Sequence, residues 1–149
     1  MTGIAAPAVE THIDIAAKPE RVWSVMRDCE RWHEWTASIS SIRFLDAGSL
    51  RVGQRALVRQ PKLPPGVWKV TELIDGREFT WVSAAPGLLV HARHVVEAAP
   101  GGSRVTLSLS YEGILSGLLL RLTRAITERY VAMEANGLKA RSESEVAHR

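Results

Sequence analysis

The sequence predicts an α+β protein in which seven antiparallel strands form one sheet and a single long C-terminal helix lies across it. Three observations carry this. Apolar and polar residues alternate with period two near the start and again from residue 39 onward, the signature of half-buried strands. Turn residues interrupt that alternation at short, even intervals, as in an antiparallel meander, and no strand–helix–strand alternation points to a parallel sheet. From Ile114 to Ala140 the period changes: Leu115, Leu118, Leu119, Leu122, Ile126, Tyr130 and Met133 recur at steps of three and four. Those 27 residues make a rod of roughly 40 Å. Its apolar stripe, Leu122 and Ile126 included, is expected to lie on the sheet.

The elements follow in order. Val9, Thr11, Ile13 and Ile15 alternate with Glu10, His12 and Asp14, giving a first strand. Pro19 suits a first helical turn, where its missing N–H has no partner, and Val22, Val25 and Met26 share a face behind it. Asp28 is placed to cap a second short helix through Trp35, with Trp32 and Trp35 neighbours on it. Strands are then expected at 39–45, 53–60, 67–74, 78–84, 88–98 and 104–112. Asp46-Ala47-Gly48, Pro61 to Gly66, Asp75-Gly76, Pro86-Gly87 and Pro100-Gly101-Gly102 separate them.

Composition bounds the function. A chain of 149 residues fits one domain, with mobile tails expected at 1–7 and 142–149. Cys29 is alone, which excludes an internal disulfide and a cysteine metal cluster. The net charge is +3, but the fifteen Arg and four Lys are interleaved with acids, which argues against a nucleic-acid binder. No basic-then-apolar leader is visible, and no apolar run reaches the ~20 residues of a bilayer span. The expected compartment is the cytoplasm, with no stable membrane insertion.

Period two also assigns faces. Val105, Leu107, Leu109 and Tyr111 share one face, and Val90, Ala92, His94 and Val96 share another. Phe79, Trp81 and Ser83 are expected inward, as are Trp68, Val70 and Glu72, then Ala56, Val58 and Gln60. A slip of one residue would invert any of these.

The order strand, two short helices, six strands, long helix resembles the helix-grip fold of the START-like, birch-allergen-like superfamily (SRPBCC). Within it the chain resembles the bacterial group labelled polyketide cyclase/dehydrase and lipid transport. The resemblance covers Val9 to Arg141. Pro19 to Trp23, Trp32 to Trp35, Val52 to Ala56, Trp68 to Leu73, Phe79-Thr80-Trp81, His94 and Gly101 to Leu107 carry it. It implies a curved sheet gripping the helix around an apolar cavity. None of these stretches is a catalytic motif.

The inward set mixes Trp68, Phe79 and Trp81 with Gln60, Glu72 and His94, the make-up of a ligand pocket with apolar walls and sparse polar groups. Leu122 and Ile126 would close it from the helix, and Trp35 together with the Pro61–Pro65 loop would form its mouth. His94 is open to three readings: a satisfied structural histidine, a ligand contact, or a general acid–base group. In each it is expected to be neutral at pH 7. Glu72 is either a buried base or an outward residue paired with Arg. Gln60 either binds ligand or faces water, and Trp35 either rims the cavity or packs the core. No metal-ligand spacing, phosphate loop or nucleophile elbow occurs, so no cofactor is expected. Two functions remain: binding of a lipid, polyketide or aromatic metabolite by a monomer or homodimer, or cyclase/dehydrase chemistry with His94 as the acid–base group. The first is favoured.

Overall fold

A computed structural model describes residues 6–146. Its elements are β1 (Val9–Ile15), α1 (Pro19–Arg27), a 3-10 helix (Cys29–Glu34), β2 (Ser41–Phe44), β3 (Arg55–Arg59), β4 (Gly66–Ile74), β5 (Glu78–Ala85), β6 (Leu88–Ala99), β7 (Gly102–Glu112) and α2 (Ser116–Val146). The seven strands form one antiparallel sheet in the order β1-β7-β6-β5-β4-β3-β2. The long meander β2–β7 therefore pairs neighbour with neighbour, and β1 closes the far edge on β7. α2 packs along β1 and β7 and against α1.

The expected tails need adjustment. Residues 1–5 and 147–149 lie outside the described residues, and 142–146 continue α2 rather than forming a tail. Pro19 opens α1, which buries Val22, Trp23, Val25 and Met26. The next segment winds as a 3-10 helix, not an α-helix, and Asp28 gives it no side-chain cap. Tight winding superimposes residues three apart, so Cys29 and Trp32 both point into the core. The Trp32 indole N–H then donates to the Met26 carbonyl at 2.8 Å.

The face of α2 that touches the protein differs from the expected stripe. Val131, Ala135, Leu138 and Ser142 are buried, at steps of four, three and four. Helical geometry puts them opposite the leucine stripe. Leu122 is 73 % exposed and Ile126 only half-buried. Hydropathy misleads here because the buried face dilutes Val131 and Leu138 with the small Ala135 and Ser142 and so scores below the leucine stripe. Gly137 meets the protein from another side, where a Cβ would overlap the Trp35 carbonyl oxygen. The expected result for Leu122→Gln is a change in urea-unfolding stability below about 0.5 kcal/mol. A loss of core size would mean that the helix is rotated from this position.

One inward assignment is also corrected. A β-bulge between Val70 and Glu72 breaks the pairing of β4 with β5. The extra residue inverts the alternation, so Leu73 packs on the core and Glu72 is exposed.

Candidate functional site

β5 and β6 set the site. Phe79 pairs with His94 and Trp81 with Ala92, and the side chains of Phe79, Trp81 and His94 all face inward. The imidazole of His94 stacks on Phe79, with ring centres 4.2 Å apart and planes within 10°. Trp81 meets it edge-on at 5.7 Å, and Trp32 lies 5.5 Å away. Trp32 also touches Trp35, Phe79 and Trp81, each within 6.4 Å. Such offset and edge-to-face contacts are the favoured aromatic geometries. Trp68 extends the cluster, 6.1 Å from Trp81.

His94 is buried, and its Nδ1–H donates to the Phe79 carbonyl at 3.2 Å. That bond fixes the tautomer and leaves Nε2 as an acceptor. Nε2 faces Glu134 Oε2 of α2 at 3.7 Å. The separation would suit an ion pair, yet the surroundings oppose charge on both groups. Burial lowers the His94 pKa to about 4, against a smaller opposing effect of the Phe79 carbonyl. Burial also raises the Glu134 pKa to about 8. At neutral pH the imidazole is therefore an uncharged acceptor and the carboxyl an uncharged donor. Their separation exceeds a direct hydrogen bond.

Cover over the inner face is uneven. Phe79, His94, Val96, Val105 and Leu107 are buried, whereas Trp68, Ser83, Val90, Leu109 and Tyr111 are half-buried. The second group lies toward the turns joining β3 to β4 and β5 to β6. On the helix side Leu119, Thr123, Ile126 and Tyr130 are half-buried as well. The Tyr130 hydroxyl donates to the Pro61 carbonyl, tying α2 to the loop before β4.

The other expected residues fall as follows. Gln60 is half-buried, and its amide N–H donates to the Ser38 carbonyl at 3.2 Å, so its donor already closes the loop before β2. Trp35 is half-buried beside Trp32. It borders a polar surface depression with Arg21, Asp28, Arg31 and Arg141. Glu72 and Leu122 point to solvent and stand apart from the cluster. Two members of the site escaped sequence reasoning. Trp32 was readable as a large apolar residue in a charged segment. Glu134 gave a weaker sign: it shares a helix face with Val131, Ala135 and Leu138.

Among the described residues no helix is long and apolar enough to cross a membrane. No group of three metal-ligating side chains occurs among them.

An antiparallel sheet against one long helix, with an aromatic and partly polar inner face, defines a helix-grip α+β protein. The family described as "Polyketide cyclase / dehydrase and lipid transport" matches residues 6–143. The chain belongs to that family. No curated protein matches it by sequence. Among solved structures it is similar to a hypothetical protein from Helicobacter pylori at 17 % identity and TM-score 0.77, covering 95 % of this chain and 97 % of that one. An aromatase/cyclase from a Streptomyces species is similar at 15 % identity and TM-score 0.75, covering 93 % and 94 %. A START superfamily protein from Mycobacterium smegmatis is similar at 17 % identity and TM-score 0.69, covering 91 % and 97 %.

Proposed function

We propose that the protein binds one small hydrophobic molecule bearing a carbonyl or hydroxyl group, between the sheet and α2. The single observation behind this is the pairing of His94 with Glu134. Two uncharged polar groups of opposite hydrogen-bonding character face each other at 3.7 Å among aromatic rings. A ligand oxygen there could accept from the Glu134 carboxyl, and a ligand hydroxyl could donate to His94 Nε2. Trp32, Phe79 and Trp81 supply an apolar floor, and Trp68 and Ile126 extend the wall toward the less covered end. Such a site matches the usual make-up of small-molecule pockets. Glu72 and Leu122 have no part in this reading, and Gln60 and Trp35 act through packing.

The test uses an environment-sensitive hydrophobic dye that binds saturably. His94→Phe keeps the ring and removes both polar atoms. It is expected to cost on the order of 1–2 kcal/mol of affinity for a hydroxyl-bearing dye, whose donor loses its acceptor at Nε2. A fall in melting temperature with unchanged affinity would make His94 purely structural and sink the reading.

A second reading is favoured by the protonation states. Unprotonated His94 Nε2 could remove an α-proton from a bound poly-ketone, and protonated Glu134 could deliver a proton to the hydroxyl that leaves as water. That pair of transfers completes the dehydration. In the aldol closure before it, His94 would return the first α-proton to the alkoxide formed with the new C–C bond, and positioning between sheet and helix would supply the rest. If it holds, His94→Phe and Glu134→Gln should each lower turnover of a poly-ketone substrate by about 10²-fold or more. Variants that weaken binding without changing turnover at saturation would leave only the binding function.

A further inference from the structure

The start of α2 and the turn before it carry an apolar ridge; Ile114 and Leu115 lie beside the Gly87 turn, and most of the ridge is left exposed. Leu115, Leu118 and Leu122 are 45, 57 and 73 % exposed, and Ile114 just before them is 92 % exposed. Steps of three and four align the leucines on one side of the helix. The ridge is held firmly. The Leu115 N–H donates to the Gly87 carbonyl at 2.9 Å, and the Leu119 N–H donates to the Leu115 carbonyl at 3.0 Å. Gly113, at φ +109°, lies so close to the Gly87 carbonyl that no side chain fits. The helix start is thus pinned to the turn between β5 and β6, at the end where the inner face loses cover.

The flanks of the ridge are cationic. From Gly113 to Thr127 the sequence has no Asp or Glu. Arg121 and Arg129 are exposed beside the leucines. Glu128, the first acid to follow, is engaged by Arg124 at 3.2 Å.

We infer that this ridge docks on a membrane surface containing anionic lipids. A convex helix edge of leucines bordered by arginines suits the interface. The apolar side chains enter the boundary of the acyl chains while the guanidinium groups stay with the headgroup phosphates. A second copy of the chain fits less well. Packing two ridges about a two-fold axis would bring the Arg121 and Arg129 of one copy toward those of the other, and the nearest acid on the helix, Glu128, is already engaged by Arg124. Docking of this kind is peripheral, needs no spanning helix, and stands whatever the inner face binds.

Flotation of the full chain with vesicles tests it. Phosphatidylcholine vesicles containing phosphatidylglycerol should retain the protein, and raised salt should weaken the retention. Pure phosphatidylcholine should retain far less. The double variant Leu118→Ser, Leu122→Ser should bind at least about tenfold more weakly. Arg121→Glu should bind about fivefold more weakly or worse. Both should keep the parent melting temperature, because the positions are exposed. Absence of retention on the anionic vesicles, or retention that the double variant leaves intact, would overturn the inference. So would a dimer in sedimentation velocity that the double variant abolishes, seen without vesicle binding.

Discussion

Gly137→Ala is expected to lower stability by about 3 kcal/mol, near the upper end of the usual cost of overpacking. The direction is opposite to what helix propensity alone gives, since Ala is favoured over Gly in a helix interior by about 1 kcal/mol. The reason is a backbone-to-backbone approach. A Cβ on Gly137 would overlap the Trp35 carbonyl oxygen and press on the Trp35 ring. Neither contact is the free end of a flexible side chain, so α2 and the 3-10 helix must part. That separation would disturb Trp32, which the 3-10 helix inserts among Phe79, Trp81 and His94. At a few degrees per kcal/mol for a chain of this size, the melting temperature should fall by about 10 °C. Gly117 is the internal control. It lies in the same helix with nothing within 4 Å of a built Cβ. Gly117→Ala should therefore be neutral or stabilising by up to about 1 kcal/mol. Two alanines that both stabilise would show that α2 does not approach Trp35 this closely.

The same contact explains why part of the fold was legible in the sequence and part was not. The strands were readable because each inner face is large and apolar and each turn carries Gly, Pro or Asp. Val105 and Leu107 against Thr106 and Ser108 leave little ambiguity. His94 was readable for the same reason, since Ala92 and Val96 fix its side of an unbroken strand. The β4 alternation failed at Glu72 because a bulge adds one residue without any composition signal. α2 failed differently. Its contact face mixes Val131 and Leu138 with the small Ala135 and Ser142, Gly137 meets Trp35 from another side, and Leu115, Leu118 and Leu122 face outward. Close backbone approach and exposed apolar ridges both invert the rule that the oiliest face is the buried one. Glu134 was hidden by this inversion. Once the helix is rotated to its real contact face, an acid beside Val131 and Leu138 becomes conspicuous.

The neutral pair makes the second large prediction, a stability profile with two opposed limbs. His94 titrates near 6.5 in the unfolded chain and at about 4 in the native one. Between these values the unfolded chain holds a proton that the native state lacks, so stability falls as pH drops through the window. Glu134 runs the other way. Its carboxyl titrates near 4.5 unfolded and at about 8 native. The native state keeps a proton that the unfolded chain has released, so stability falls as pH rises through that window. From pH 4.5 to 6.5 the two slopes oppose and cancel. From 6.5 to 8 only the Glu134 slope remains, and over those pH units it is worth on the order of 2 kcal/mol. Surface carboxylates complicate only the acid side. Hydrogen bonds from Arg104, Arg141 and Arg55 hold Asp14, Glu34 and Asp46 below the usual carboxylate range, and each adds its own loss in acid. Comparison with variants removes that background. Glu134→Gln keeps the shape and cannot ionise, so its unfolding free energy should stay level from pH 6.5 to 8 while the parent declines. His94→Phe should lose its share of the acid limb and retain the alkaline decline. A Glu134→Gln profile parallel to the parent above pH 6.5 would mean that the carboxyl is already ionised beside His94. The donor half of the proposed ligand contact, and the acid in the dehydration chemistry, would then both be lost.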